Sequence, residues 1–233
     1  MRAMILAAGV GERMRPLTAH TPKPLLRVAG QPLLEYHIRA LAREGVRELV
    51  INVSHLAGQL RDYCGDGSRW GVRIDYSPEP SPLETAGGIH RALPLLGGAP
   101  FMVINGDIWS DYPLARLLEQ RALAAGRAHL VLVDNPPQHP GGDFCLDCHG
   151  AVAARPAAQT GLTYAGLGVY TPEFFAGMAA GKLPLRPLLD AAIAAGRVQG
   201  EHYPGAWEDV GTPQRLHELD ARLRGAGVSG SPG

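Results

Sequence analysis

The residues best equipped for chemistry in this chain of 233 residues lie beside glycine-rich turns. Near the N-terminus, Leu6-Ala7-Ala8-Gly9-Val10-Gly11-Glu12-Arg13-Met14-Arg15-Pro16-Leu17-Thr18 precedes Thr21-Pro22-Lys23-Pro24-Leu25-Leu26. A glycine loop directly after an apolar run lets backbone N–H groups approach phosphate oxygens closely. Arg15 and Lys23 add positive charge to that loop. It is not a dinucleotide fingerprint, because Met14 stands where the third glycine belongs, and no Gly-Lys-Ser/Thr follows to make a Walker A loop. As a bare glycine loop it reads equally well as a tight turn carrying surface bases. Asp107 ends Val103-Ile104-Asn105-Gly106-Asp107, at the edge where open α/β sheets bind ligands. In isolation it reads more simply as a turn aspartate or helix N-cap. Asp209, in Trp207-Glu208-Asp209-Val210-Gly211-Thr212-Pro213, taken alone belongs to a strand-to-helix turn.

The elements that must position these groups follow from periodicity. Ala3–Ala8 is a continuous apolar run, as for a strand buried on both faces. Gly9 to Lys23 is a polar loop, and Pro22 and Pro24 are expected to hold Lys23 in extended backbone. Leu33–Arg43 has helical spacing with Gly45 as its stop. Glu48–Val53, Val72–Tyr76, Phe101–Asn105 and His129–Val133 read as strands, and His55–Tyr63, Thr85–Leu96 and Leu114–Ala125 as helices. That alternation predicts an α/β fold: a Rossmann-like mixed, mostly parallel sheet flanked by helices. After Pro136 the rhythm changes. Phe144–Asp147 and Ala151–Ala154 read as a small hairpin insertion, followed by strand Thr163–Tyr170, helix Leu185–Ala195, strand Val198–Tyr203 and helix Gln214–Arg224. One domain is expected over 1–224, with halves 1–135 and 136–224, and Gly225–Gly233 reads as a disordered tail.

Composition excludes several classes. Lys+Arg and Asp+Glu are both 22 and the pI is about 7.1, which argues against bulk binding to nucleic acid or an anionic membrane. No run of ~18 apolar residues exists to span a bilayer, and the N-terminal apolar run stops at Gly9, too soon for a signal peptide. Three cysteines (Cys64, Cys145, Cys148) make no disulfide framework, so a reducing cytoplasm is the expected home. Cys145-Leu146-Asp147-Cys148-His149 has the form of a haem-attachment motif and of half a zinc site. It lies in an expected hairpin, with no second Cys/His pair of suitable spacing after it, so a plain strand and turn is the default reading.

Taken whole, the two N-terminal segments resemble the sugar-1-phosphate nucleotidylyltransferases, whose signature is a G-x-G-x-R-x-x-P-L-T loop and a P-K-P segment after the first strand. The resemblance covers about residues 1–224. It implies a transferase that joins a nucleoside triphosphate and a sugar 1-phosphate and releases pyrophosphate. In that family the loop backbone holds the nucleotide, the arginine contacts the triphosphate and the lysine stabilises charge at the reacting phosphate. Carried over, Arg15 and Lys23 are the candidate catalytic residues, and Arg13 braces the loop. Nucleotide contacts are implied for Leu6, Ala8, Gly9, Gly11, Glu79, Glu84, Thr85 and Gly87. Asp107 and Asp209 match the family's Mg²⁺ ligands, and hard oxygens with substrate phosphates suit that ion. Sugar contacts are implied for Asn105, Gly142, Arg155 and Gly166.

Two departures leave readings open. Relatives that select uracil or thymine often carry glutamine where Glu79 stands. A carboxylate accepts from uracil N3–H or from guanine N1–H and N2–H₂, and Glu79 is also readable as a turn residue. Ala154-Arg155-Pro156 replaces a Glu-Lys-Pro, so Arg155 is either the cation for the sugar phosphate or a surface arginine. Within the family, the shortness of the chain, Leu83–Ile89 and Gly200–Thr212 look most like the bacterial N-acetylmuramate 1-phosphate uridylyltransferases of cell-wall recycling. The alternatives are a mannose- or glucose-1-phosphate nucleotidyltransferase and, outside enzymes, a regulatory protein that binds nucleotide sugars. A monomer or small homo-oligomer is expected.

Overall fold

Seven strands form the central sheet of the computed structural model, which describes residues 1–228. They are β1 (Ala3–Leu6), β2 (Glu48–Val53), β3 (Arg73–Pro78), β4 (Phe101–Asn105), β5 (Ala128–Val133), β6 (Thr163–Tyr170) and β7 (Val198–Tyr203), in the order β7-β5-β6-β4-β1-β2-β3. Only β6 runs antiparallel to its neighbours. The helices are α1 (Leu33–Arg43), α2 (Ala57–Cys64), α3 (Glu84–Leu96), α4 (Ala115–Leu118), α5 (Leu185–Ala194) and α6 (Pro213–Val228).

The apolar runs are continuous because both faces of the sheet are covered. Ile5, Ile51 and Ile104 pack on one side with Leu34, Ile38 and Leu41 of α1 and Leu60 of α2. Met4, Val50 and Val103 pack on the other with Ile89 of α3 and Leu189 of α5. A smaller cluster of Met14, Val28, Leu33, Val210 and Leu219 seats α6 against the loop after β1. The order reverses between β1 and β4, since β1 leads to β2 on one side and β4 lies on the other. A crevice therefore opens at their C-terminal ends. There Gly106 donates its N–H to Leu6 O at 2.9 Å, and a Cβ on it would stand 2.6 Å from that oxygen.

Several local expectations are corrected. Lys23 opens a 3₁₀ turn (Lys23–Leu25) rather than lying extended. Pro24 is tolerated there because the first turn of a helix needs no N–H donor. The helix expected over 114–125 shrinks to α4 and a 3₁₀ turn, Glu119–Ala122, because Leu117 alone among 115–122 is buried and too little packing extends it. Four short strands escaped the periodicity: Ile108–Ser110 pairs antiparallel with Trp207–Asp209, and Arg27–Val28 with Gln31–Pro32. The hairpin forms from Phe144–Leu146 and Val152–Ala154. Helix α6 continues to Val228, four residues beyond its expected end, and 229–233 of the anticipated tail lie outside the described residues. Among the described residues, no helix is long and apolar enough to cross a membrane.

Candidate active site

The ends of β1, β2, β3 and β4 open on a hollow of about 350 Å³ lined by Leu6, Ala7, Ala8 and Gly9, by Glu79, Glu84 and Thr85, and by Lys23, Asn52, Asn105 and Asp107. A second, about 310 Å³, shares Asn105 and Asp107 and adds Asp209, His139, Asp143, Tyr164 and Gly166. A third, about 420 Å³, shares Asn105, Asp143 and Tyr164 and reaches Arg186 on α5. Asn105 borders all three. A larger hollow of about 620 Å³ lies on α1, between Tyr36, Arg43 and Trp70, and holds none of the motif residues. The smaller ones sit at the edge where the fold places ligands, so the site is assigned there.

Lys23 is held by the turn that Leu25 and Leu26 close onto Pro22 O and Lys23 O at 2.8 and 3.0 Å. Its ammonium, nearly buried, donates to Asp107 Oδ2 at 2.5 Å. Gly11 has φ +68, and a Cβ there would stand 3.0 Å from Thr18 Cγ2 and 3.2 Å from Lys23 Cβ. This glycine therefore lets the loop fold over Lys23, and it lines none of the three hollows itself. Arg15 is exposed and lines none of the three hollows.

Asp209 comes to Asp107 through the pairing of Ile108–Ser110 with Trp207–Asp209. Its register partner is Ile108, and Val210 N–H donates to Asp107 O at 3.0 Å. Trp207 Nε1 donates to Ala165 O at 2.8 Å and ties the same strand to β6. Arg215 of α6 donates to Asp209 Oδ2 at 2.8 Å. Below this turn, buried His37 lies 3.0 Å through Nε2 from Ile108 O. Burial pushes its pKa down to about 4, although that hydrogen bond and the Asp107 charge act to raise it. The ring is neutral near pH 7, and Nε2 carries the hydrogen because a carbonyl only accepts.

Glu79 is buried and committed. Its Oε1 accepts from Asn52 Nδ2 at 2.7 Å and its Oε2 from Leu83 N–H at 2.9 Å, while Asn52 Oδ1 accepts from Ala7 N–H at 2.7 Å. The pair thus ties the end of β1 to the loop that enters α3. A base-reading role for Glu79 must share a carboxylate already occupied at both oxygens. Glu84 sits in the left-handed region at φ +60, with its carboxylate 3.5 Å from Lys182. Strain of that kind collects at functional sites.

Besides Gly11, three of the expected contact residues stand elsewhere. Gly87 lies under the chain crossing at Gly181, whose O would be 2.2 Å from a Cβ, so it serves packing. Gly142, at φ +69, packs on Asn135 and Gly161 and lines none of the three hollows. Arg155 donates to Gln159 O at 2.9 Å within its own loop and lines none of them either. Gly166 does border the site, with φ +73, and a Cβ on it would lie 2.6 Å from Asn105 Nδ2. Glu208, beside Asp209, is less than a quarter exposed at its side chain, and burial raises its pKa. Asn52, Asp143, Tyr164 and Arg215 were missed. Asn52 alone carried a signal, a lone amide in the apolar run Leu49–Val53. The three cysteines are free, and Asp147 Oδ1 organises the Cys148–Gly150 turn by accepting from His149 and Ala151 N–H, both at 2.8 Å.

A lysine and two aspartates meet at the switch point of a Rossmann-like sheet. The chain belongs to the nucleotidyl transferase family, whose model matches residues 2–225. It is 50% identical to the N-acetylmuramate alpha-1-phosphate uridylyltransferase of Neisseria meningitidis serogroup B, over 97% of this chain and 99% of that one. It is 36% identical to the enzyme of the same name from Caulobacter vibrioides, over 95% and 96% of the two chains. The mannose-1-phosphate guanylyltransferase catalytic subunit beta of Danio rerio is more distant, at 29% over 92% of this chain and 62% of that one. Among solved structures, a Bacillus anthracis chain assigned as a glucose-1-phosphate thymidylyltransferase, with sucrose bound, has the same fold at a TM-score of 0.83, with 20% identity and 96% of each chain covered.

Proposed function

We propose that the chain is a Mg²⁺-dependent uridylyltransferase acting on UTP and N-acetylmuramate 1-phosphate in the recycling of cell-wall sugars. The observation that carries the choice of substrates is the 50% identity, end to end, with the Neisseria enzyme of that name. A phosphate oxygen of the sugar 1-phosphate attacks the α-phosphorus of UTP. The new O–P bond forms as the bond to the β-phosphate oxygen breaks, and pyrophosphate leaves with that electron pair. No covalent intermediate is needed, so positioning and charge stabilisation supply the rate.

The residues divide that work. The backbone of Ala7–Gly9 borders the nucleotide hollow, and Lys23 faces the reacting phosphate from its seat on Asp107. Asn105, which borders all three hollows, lies between nucleotide and sugar. Asp107 and Asp209 suit Mg²⁺: both line one hollow, both are carboxylates, and among the described residues no third Asp, Glu, His or Cys completes a protein cage. That leaves positions for phosphate oxygens and water. When bound there, the ion neutralises charge building on the phosphates.

The test is pyrophosphate release over a grid of nucleoside triphosphates against N-acetylmuramate, N-acetylglucosamine, glucose and mannose 1-phosphates. UTP with N-acetylmuramate 1-phosphate is expected to give the highest kcat/KM. GTP with mannose 1-phosphate as the best pair would replace this reading.

A further inference from the structure

Each carboxylate proposed to hold the metal already has a protein cation on it. Lys23 Nζ lies 2.5 Å from Asp107 Oδ2, and Arg215 Nη1 lies 2.8 Å from Asp209 Oδ2. Neither cation has drifted in from the surface, since their side chains are 9% and 12% exposed. Arg215 is placed by its own stretch of sequence. Thr212 stands just before α6, and its hydroxyl accepts Arg215 N–H at 3.3 Å and Nε–H at 3.4 Å. The guanidinium passes over Gly211, where a Cβ would stand 2.3 Å from Nη2 and 3.2 Å from Asp209 Oδ2. A side chain at that position would push the arginine off its partner. Asp209, Gly211, Thr212 and Arg215 therefore act as one unit that lays a positive charge on Asp209.

Charge balance decides what this unit does. The charges of these two carboxylates and of the ammonium and guanidinium seated on them sum to zero. A divalent cation arriving alone finds each of these two carboxylates already paired with a cation within hydrogen-bond reach. A nucleoside triphosphate brings several negative charges and further oxygen ligands, which turn the balance toward the metal. We infer that Arg215 is a positioning residue that keeps Asp209 from taking up the metal by itself, so that the ion is bound only together with the nucleotide. The inference rests on the assignment of Asp107 and Asp209 as metal ligands. Because coupling is reciprocal, the metal strengthens nucleotide binding by the factor that the nucleotide strengthens the metal's.

Mn²⁺ is the probe, followed by the electron paramagnetic resonance signal of the free ion in titrations of the full chain without nucleotide. Arg215→Gln is expected to bind Mn²⁺ at least about tenfold more tightly than wild type. Arg215→Lys, which keeps the charge, is expected to stay near wild type. Gly211→Ala should move in the direction of Arg215→Gln, and it stands in for that variant if Arg215→Gln does not fold. Equal affinities in wild type, Arg215→Gln and Gly211→Ala overturn the inference, as does a wild type that binds Mn²⁺ alone as tightly as with a non-hydrolysable UTP analogue. With the analogue present, Asp209→Asn must weaken Mn²⁺ binding. If it does not, the metal-ligand assignment fails on its own, whatever Arg215 does.

Discussion

Lys23 Nζ and Asp107 Oδ2 stand 2.5 Å apart across 84 positions of sequence, joining the loop after β1 to the end of β4. The contact seats the lysine proposed to stabilise the reacting phosphate against a carboxylate that fixes its position.

Lys23→Ala should lower pyrophosphate release by roughly 10²–10³-fold, the cost of removing one preorganised charge from such a site. Asp107 is more than a third exposed and is left to solvent, so the thermal midpoint should fall by only a few degrees. Turnover within about threefold of wild type would remove Lys23 from the chemistry.

Glu79→Gln places an NH₂ group in a site where two donors, Asn52 Nδ2 and Leu83 N–H, already converge. One of them loses its acceptor, at a cost of about 1–3 kcal/mol in stability. KM for the nucleoside triphosphate should rise while the preferred base stays the same. A switch of base preference in the grid assay would instead make Glu79 the residue that reads it.

Gly166→Ala brings a Cβ to 2.6 Å from Asn105 Nδ2 at a backbone φ of +73. The left-handed conformation alone costs about 1–2 kcal/mol for a residue with a side chain. Asn105 must move as well. Activity should therefore fall by more than the stability loss explains, with KM for the sugar 1-phosphate rising most. Unaltered steady-state constants in the folded variant would show that Asn105 does not need that seat.

His37 makes stability depend on pH. Its folded pKa is held near 4, below the ordinary value of 6.5, so between these values the unfolded chain binds more protons. Stability then falls as pH drops through this window, by up to roughly 3 kcal/mol once pH is below both values. Urea unfolding between pH 7 and 4 should show the loss, and His37→Gln should flatten that part of the profile. An equal slope in the variant would assign the effect to other groups.

Much of the fold was legible because the seven sheet strands and most helices announce themselves locally. Runs such as Leu49–Val53 and Phe101–Asn105 are apolar but for one asparagine each, as burial on both faces requires. The strands Ile108–Ser110 and Trp207–Asp209 were not legible, since three residues are too few to show a period and each exists only because the other pairs with it. The candidate site divides in the same way. Lys23, Asp107 and Asp209 stood out because the glycine loop, Pro22-Lys23-Pro24, Asn105-Gly106-Asp107 and the turn at Trp207–Pro213 match, in order, motifs of the family the chain resembles; alone, the two aspartates read as turn residues.

The sequence by itself determined the alternation of strands and helices, the glycine loop and the residue types at the sheet edge, for these depend on neighbours along the chain. The tertiary structure alone decided which groups meet. It set Arg215 on Asp209, committed both oxygens of Glu79 to Asn52 and Leu83, and left Gly87, Gly142 and Arg155 to packing and turns. The physical reason is that a hydrogen bond or ion pair forms where strand order and register bring two groups within about 3 Å. Partners such as Ala7, Asn52 and Glu79 come from three different strand ends, and no local pattern in the chain records that they converge.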